Sequence, residues 1–205
     1  MRSSPEVAER KYNRELQRLH EQRELLESRG IIVRSSSRFP FMRVVLIPRS
    51  PVSIVANIRQ AMSPAPQAVA FELPYLSARA IEARFDLTDY NLRAPSLVFT
   101  DPWNGSILNY NAMFRALEFE KSRRAHVVLL GDHPISHKPF LCMRGIREYH
   151  EHPQHTGDEW LLYKDDLNMF SIIMSVWRVT VDLIHPQIQP AQGGIQVTWL
   201  AEEKL

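Results

Sequence analysis

The chain has 205 residues, of which 44% are hydrophobic, and its 25 basic and 23 acidic residues leave a formal net charge of +2. This length and composition predict one domain, or one domain with an appendage, that can bury a hydrophobic core. The near balance of charge argues against bulk binding to nucleic acid. No run approaches eighteen apolar residues, so no membrane span is predicted.

The start of the chain and its cysteine content indicate a cellular compartment. The N-terminal sequence MRSSPEVAERKYNRELQ has no apolar stretch and therefore does not look like a secretory signal. Cys142 is the only cysteine, which excludes an internal disulfide framework. Both features predict a cytoplasmic protein with a reduced thiol.

Residues 4–29 are predicted to form the first helix. Ser4 can cap it, Pro5 suits its first turn, and Gly30 suits its end. Apolar residues recur along one side of this otherwise charged segment, which is typical of a helix that packs on one face. Residues 1–30 are therefore expected to form an N-terminal helix that is part of the domain.

After this helix the pattern changes to short stretches of β-branched and large apolar residues, separated by prolines and by the dipeptide Asn104-Gly105. They predict the strands of an antiparallel meander, at residues 31–33, 41–47, 68–73, 96–100 and 126–130. Two further segments, 53–62 and 109–121, are predicted to be short helices.

Residues 167–184 form the most strongly helical segment, with apolar residues at three-to-four spacing over a wide face. Such a helix is expected to be largely buried, and His185-Pro186 is expected to end it. The tail, 187–205, contains the sequence IQVTW, which can add an edge strand. The order of elements predicts an α+β fold with its core over residues 31–186.

The segment LCMRGIREYHEHPQHTGDEW, residues 141–160, holds the cysteine and three of the eight histidines. Cys142 has apolar neighbours, as a small buried side chain would. Nearby Arg144, Arg147 and the histidines would favour the thiolate that a nucleophile requires. The chemistry of the segment also suits a metal ion, because zinc takes three or four ligands of this kind. The potential ligands are Cys142, Glu148, His150, Glu151, His152 and His155.

Three pieces of the chain, in order, resemble a ubiquitin-conjugating enzyme. YNLRAPSLVFTD, residues 90–101, is similar to the tyrosine- and proline-rich stretch that leads into the third strand of that fold. HPISHKPFLCM, residues 133–143, resembles the family's His-Pro-Asn turn followed by the active-site cysteine. Trp160 and the apolar segment 167–184 resemble the tryptophan and the buried helix that come after the cysteine. With RKYNRELQRL, which resembles the first helix, the resemblance covers most of residues 10–186.

This resemblance implies an N-terminal helix, an antiparallel meander sheet and a buried C-terminal helix. It implies that Cys142 carries a ubiquitin-like protein as a thioester in a bacterial conjugation pathway. His133 and His150 are expected as further catalytic residues, and His150, His152 or His155 is expected to tune the thiol or to assist proton transfer. The implied partners are the ubiquitin-like protein and its activating enzyme. The chain departs from the family in two ways: Ile135 replaces the asparagine after His-Pro, and the segment 102–132 is longer than the usual connection.

The cysteine segment also resembles a bacterial family of the same fold that is named for predicted Cys, Glu, His and His metal ligands. Members look to be encoded beside ubiquitin-like proteins, activating enzymes and JAB-type peptidases, which adds such a peptidase to the expected partners. The resemblance implies zinc as a cofactor, held by Cys142, by Glu148 or Glu151, and by two of the three histidines His150, His152 and His155. Because a zinc-bound thiolate is a poor acyl carrier, a transferase and a non-catalytic scaffold with structural zinc are alternatives. A metal-dependent hydrolase with a histidine-held water is a third alternative.

Overall fold

The computed structural model describes residues 4–47, 80–108, 117–119, 125–127, 129–130, 132–182, 184–191 and 194–201. The predicted helix 53–62 and the predicted strand 68–73 lie outside these residues. Among the described residues, no helix has both the length and the apolar composition to cross a membrane.

The chain begins with two consecutive helices, α1 (Pro5–Glu21) and α2 (Arg23–Ser28). Gln22, with φ −100° and ψ 15°, interrupts the single helix that was predicted over 4–29. Ala8, Tyr12, Glu15 and Leu19 are the buried residues of α1, and their spacing of three or four places them on one face. The prediction of a helix that packs on one side is therefore confirmed.

Four strands form an antiparallel sheet with the order β1-β2-β3-β4. Their bounds are Ile31–Val33, Phe41–Leu46, Ile81–Asp86 and Ser96–Thr100. Along the register, Val44 lies opposite Ala83, and Phe85 lies opposite Leu97. These buried side chains form one core with Tyr12 and Leu19 of α1. The predicted meander is confirmed, although β3 was not among the predicted strands.

Between β4 and Cys142 the chain contains two further pairs of short antiparallel strands. β5 (Leu117–Phe119) pairs with β6 (Ala125–Val127), so the helix predicted over 109–121 is wrong at residues 117–119. β7 (Leu129–Leu130) pairs with β8 (Phe140–Leu141), so the predicted strand 126–130 is divided between two elements. Cys142 follows β8 directly.

The cysteine segment contains one short α-helix, α3 (Arg147–His150), and a 3-10 helix, Pro153–His155, and the next α-helix is α4 (Met169–Trp177). Asn168 caps α4: its side chain accepts from the Ser171 amide over 3.0 Å, while the Ser171 hydroxyl pairs with the Asn168 amide over 3.2 Å. Ile172, Ile173 and Val176 of α4 join the core of the sheet. The buried C-terminal helix is therefore confirmed.

The end of the predicted helix 167–184 differs from the expectation. After α4 the chain forms a π-helix, Arg178–Asp182, and His185-Pro186 lies within the strand β9 (Ile184–Ala191). β9 pairs with β10 (Gly194–Ala201) in a two-stranded antiparallel sheet. The boundary expected between residues 186 and 187 thus falls inside β9. The architecture is α+β, with an N-terminal helix, a four-stranded antiparallel sheet and a C-terminal helix.

Candidate functional site

Cys142 lies at a sharp turn between β8 and α3. Phe140 and Leu141 before it are buried, whereas Cys142 itself is half-buried. The amide of Met143 donates to the Leu141 carbonyl over 3.0 Å, which reverses the backbone at the cysteine. Gly145 follows with φ +93°, and a Cβ there would lie 3.1 Å from Cγ1 of Ile172. The turn therefore requires glycine, and Gly145 packs closely against Ile172 of α4.

His155 is the histidine that the fold brings to the thiol. Its Nε2 lies 3.4 Å from Sγ of Cys142, within the range of a hydrogen bond to sulfur. His155 ends a short 3-10 helix, Pro153–His155, and is half-buried. A thiol and an imidazole at this distance can share a proton, which is the arrangement that activates a cysteine nucleophile.

His150 faces backbone atoms on both sides of its ring. The Gly145 amide can only donate, so it donates to Nε2, over 3.1 Å. The proton is then on Nδ1, which donates to the Asp158 carbonyl over 2.6 Å. Burial lowers the pKa of His150 and so favours this neutral form. His150 was predicted as a catalytic residue or a zinc ligand, but both of its ring nitrogens are hydrogen-bonded to backbone atoms of the loop, at Gly145 and Asp158.

His133 is 2% exposed, and both of its ring nitrogens are also hydrogen-bonded to backbone atoms. Its Nδ1 accepts from the amides of Ile135 and Ser136 over 3.3 and 3.2 Å. The proton must then be on Nε2, which donates to the Glu148 carbonyl over 3.0 Å. Nothing in this arrangement leaves a nitrogen of His133 to transfer a proton, so its role in the described structure is to order the His-Pro turn.

The two glutamates of the segment point to other partners. The Glu148 carboxylate accepts from the hydroxyl of Ser96 and from the amide of Leu97, the latter over 3.4 Å, at the start of β4. Glu151 pairs with Arg93, whose Nε lies 2.8 Å from Oε1. Both carboxylates therefore join the segment to the loop and strand beside it.

His152 lies next to His155, with ring centroids 5.4 Å apart, and stacks on Phe140. Its Nδ1 accepts from the Gln154 amide over 3.2 Å, which caps the short helix of His155. Burial lowers the pKa of His152, as do the neighbouring rings of His155 and His133. Of the expected zinc ligands, the fold thus brings together Cys142 and His155, with His152 beside them. Among the described residues, no group of three or more His, Cys, Asp or Glu side chains is arranged to hold a metal ion.

Sequence reasoning missed Tyr149 and Asp158. The ring of Tyr149 stacks on that of His155, with centroids 4.0 Å apart and an interplanar angle of 27°. Its hydroxyl donates to Asp158, which also pairs with Arg144 over 3.2 Å. Burial opposes the ionisation of Asp158, but hydrogen bonds from Tyr149, Tyr163 and Arg144 outweigh it and lower its pKa to about 2. No spacing rule in the sequence marks a tyrosine as the neighbour of a histidine six residues later.

Fold and site together define an α+β protein with a cysteine-histidine pair at a tight turn before the C-terminal helix. The model of the Y4jH-like family (Y4jH family) matches residues 125–184, which include the whole segment from His133 to α4. The chain is also similar to the uncharacterized protein y4jH of Sinorhizobium fredii (strain NBRC 101917 / NGR234), with 33% identity over 46% of this chain and 55% of that protein. The match therefore spans about half the length of this relative.

Proposed function

We propose that the chain is a ubiquitin-conjugating-like transferase that carries a ubiquitin-like protein as a thioester on Cys142. The observation that carries the proposal is the 3.4 Å distance between Sγ of Cys142 and Nε2 of His155. A nucleophilic cysteine needs a base within this range. The half-buried thiol lies in the turn after β8 and not in a strand interior, which leaves it accessible to a reacting carbonyl.

The architecture supports the same proposal. The helix, the four-stranded antiparallel meander, the turn with the cysteine and the C-terminal helix follow one another in the order that the resemblance to ubiquitin-conjugating enzymes implies. In this reading the chain has the fold of that family. It belongs to a bacterial cytoplasmic pathway with an activating enzyme, a ubiquitin-like protein and a JAB-type peptidase as partners.

The chemistry has two steps. In the first, the Cys142 proton moves to Nε2 of His155, and the thiolate attacks the C-terminal carbonyl held as a thioester on the activating enzyme. The new carbon-sulfur bond forms, the activating enzyme's thiolate leaves, and it takes up the proton from His155, which returns the imidazole to its neutral form. In the second step an acceptor amine attacks the thioester on Cys142, the Cys142 thiolate leaves, and the amine loses its proton to His155 or to water.

The roles of His133 and His150 are positioning roles in this proposal. His133 orders the turn before Cys142, and His150 joins Gly145 to Asp158 across the loop after it. Ile135 occupies the position of the family's asparagine, and its aliphatic side chain cannot stabilise an oxyanion. Losing one such donor typically lowers the rate by about a hundredfold or more. We therefore expect acyl transfer to be slow.

The test uses a chemically defined acyl donor, a peptide ending in Gly-Gly that is activated as a mercaptoethanesulfonate thioester. Mass spectrometry of the intact chain should show the peptide on the wild type, and dithiothreitol should release it. Cys142→Ala should give no adduct. His155→Ala should form it about a hundredfold more slowly. His20→Ala, which changes an exposed histidine on α1, is the matched control and should react like the wild type.

A wild-type chain that forms no adduct releasable by dithiothreitol, either with this peptide or with a ubiquitin-like protein, its activating enzyme and ATP, would overturn the proposal. Equal adduct on Cys142→Ala would place the acyl group elsewhere and would overturn it as well.

Ile135 favours a second candidate function, a non-catalytic scaffold of the same fold with a structural zinc ion. Its side chain is 64% exposed and offers no hydrogen-bond donor to the reaction. Cys142, His155 and His152 would supply zinc ligands after a rotation of the His152 ring, since Nδ1 of His152 is engaged with Gln154. This function requires a metal held by Cys142, so the metal content of the purified chain separates the two candidates.

A further inference from the structure

We propose that Tyr149 is the positioning residue for His155, holding the imidazole toward Cys142 by stacking and not by a hydrogen bond. This inference rests on the proposed thioester chemistry, in which His155 takes the cysteine proton. Tyr149 lies on α3, between Glu148 and His150.

The geometry around His155 defines two contacts. The edge of the ring, at Nε2, faces Sγ of Cys142, and the face of the ring lies on Tyr149 with centroids 4.0 Å apart. In most cysteine-histidine sites a third group orients the base through its second nitrogen. In the described parts of the chain, no carboxylate is hydrogen-bonded to His155. The stack on Tyr149 is the contact that restricts rotation of the imidazole.

Tyr149 can position His155 because its backbone amide and its hydroxyl are both hydrogen-bonded. Its amide donates to the Ile146 carbonyl over 3.1 Å, at the start of α3. Its hydroxyl donates to the Asp158 carboxylate, and burial together with this hydrogen bond raises the pKa of Tyr149 to about 12. The tyrosine is therefore neutral and remains a donor at physiological pH.

Asp158 closes the arrangement. Its amide donates to the carbonyl of His155 over 3.1 Å, while its carboxylate accepts from the hydroxyl of Tyr149. Arg144 pairs with the same carboxylate over 3.2 Å, and its guanidinium lies 4.3 Å from the ring centre of Tyr163. Backbone and ring of His155 are thus joined through Asp158 and Tyr149. A change in either residue should alter where the imidazole points.

The consequence for the reaction follows from the sensitivity of proton transfer to geometry. A displacement of about 1 Å at a reacting group can cost on the order of a hundredfold in rate. An imidazole that rotates freely would spend only part of its time at hydrogen-bond distance from the thiol. We therefore expect the stacking ring, more than the hydroxyl, to determine the reactivity of Cys142.

The experiment compares Tyr149→Leu, which removes the ring, with Tyr149→Phe, which removes only the hydroxyl. Because Cys142 is the only cysteine, alkylation by iodoacetamide reports on this thiol alone. We expect alkylation to be about tenfold slower in Tyr149→Leu and about threefold slower in Tyr149→Phe. Trp103→Leu is the matched control, since it removes an aromatic ring that is 76% exposed in the turn after β4, and it should react within about twofold of the wild type.

A second measurement separates positioning from a general loss of structure. The ring current of Tyr149 should shift the proton signals of the His155 imidazole upfield in the nuclear magnetic resonance spectrum. This shift should persist in Tyr149→Phe and disappear in Tyr149→Leu. If Tyr149 had only a structural role, Tyr149→Leu would lower the stability of the chain, but the chemical shift of His155 and the alkylation rate of Cys142 would not change together.

The outcomes distinguish this inference from the proposed function. If Tyr149→Leu reacts like the wild type while His155→Ala is slow, the positioning role of Tyr149 is wrong, and the role of His155 as the base is still supported. If His155→Ala is also unchanged, the role of His155 in the proposed function fails too. If Tyr149→Leu does not fold, the resonance spectra decide: His155 imidazole signals without an upfield shift in the wild type overturn the inference, and a shift that persists in Tyr149→Phe together with at least about a third of the wild-type alkylation rate supports it. Absence of a peptide thioester adduct in the wild type would reject the transferase while leaving the alkylation result intact.

Discussion

Nε2 of His133 donates a hydrogen bond to the carbonyl oxygen of Glu148 over 3.0 Å, and this bond joins the turn before Cys142 to the helix α3 after it. The other ring nitrogen, Nδ1, accepts from the amides of Ile135 and Ser136 within the turn. The carbonyl of His133 also accepts from the amide of His137 over 2.8 Å. One neutral imidazole therefore organises both flanks of the cysteine.

The first prediction concerns the contribution of His133 to stability. His133→Phe keeps an aromatic ring against Phe140, whose centroid lies 4.8 Å away, but removes both nitrogens. It leaves two amides and one carbonyl without their partner. We expect a loss of about 1–3 kcal/mol in the free energy of unfolding, measured by urea denaturation. His20→Phe, at an exposed position of α1, should change it by no more than about 0.5 kcal/mol. Equal stability of His133→Phe and wild type would contradict the assigned role.

The second prediction concerns pH. Burial lowers the pKa of His150 below its ordinary value of 6.5, so near and below pH 6.5 the unfolded chain binds more protons at this residue than the folded chain. The stabilisation from neutral His150 is complete above pH 6.5. It is lost as the pH falls from 6.5 through the lower pKa of the folded state.

His150→Gln tests this because glutamine can still accept from the Gly145 amide but does not titrate. At neutral pH the variant should be less stable by about 1 kcal/mol, since the bond to the Asp158 carbonyl is lost. That difference should shrink as the pH falls below 6.5. His152, whose pKa is also lowered, is present in both chains and largely cancels in the comparison. A difference in urea midpoints that is constant over this pH range would show that His150 is not held neutral.

Regular apolar patterns made most of the fold predictable. The one-sided stripe of α1, the apolar strands β2 and β4 and the dense apolar face of α4 are each set by local sequence. Ile81, Ala83 and Phe85 of β3 alternate with charged residues, a pattern typical of a half-buried strand that was overlooked. The burial of Glu82, in a pair with Arg34 and Arg43, depends on the fold and could not be predicted. The helix predicted over 109–121 failed at β5 because pairing with β6 overrides a weak local preference.

The candidate site was predictable in composition but not in the roles of its residues. The sequence placed Cys142 and three histidines in one segment, and the resemblance implied that two of these histidines would lie at the cysteine. Neither the sequence nor the resemblance could indicate which nitrogens would be taken by the Gly145 amide or the Asp158 carbonyl, because those contacts depend on how the loop folds back on itself. The stack of Tyr149 on His155 has the same origin. A sequence lists the groups that can bind a metal or move a proton, and the fold decides which of them remain available.

The third prediction concerns metal content and Cys142. The engagement of Glu148 with β4, of Glu151 with Arg93 and of His150 with backbone atoms leaves few groups to complete a zinc site around the thiol. We therefore expect the chain, purified in the presence of zinc and then dialysed, to retain far less than one metal ion per molecule in elemental analysis. Cys142→Ala should change the free energy of unfolding by about 1 kcal/mol or less, because a half-buried side chain loses only one atom.

Glu148→Gln provides the matched control for this measurement, because it changes one implied ligand without touching the cysteine. Its metal content should equal that of the wild type, while its stability should fall by about 1–2 kcal/mol through weaker bonds to Ser96 and Leu97. The opposite result is equally clear. About one zinc ion per chain, lost together with several kcal/mol of stability in Cys142→Ala, would mean that the histidine segment captures the thiol. The scaffold would then replace the transferase, since a thiolate held by zinc cannot also serve as the acyl carrier.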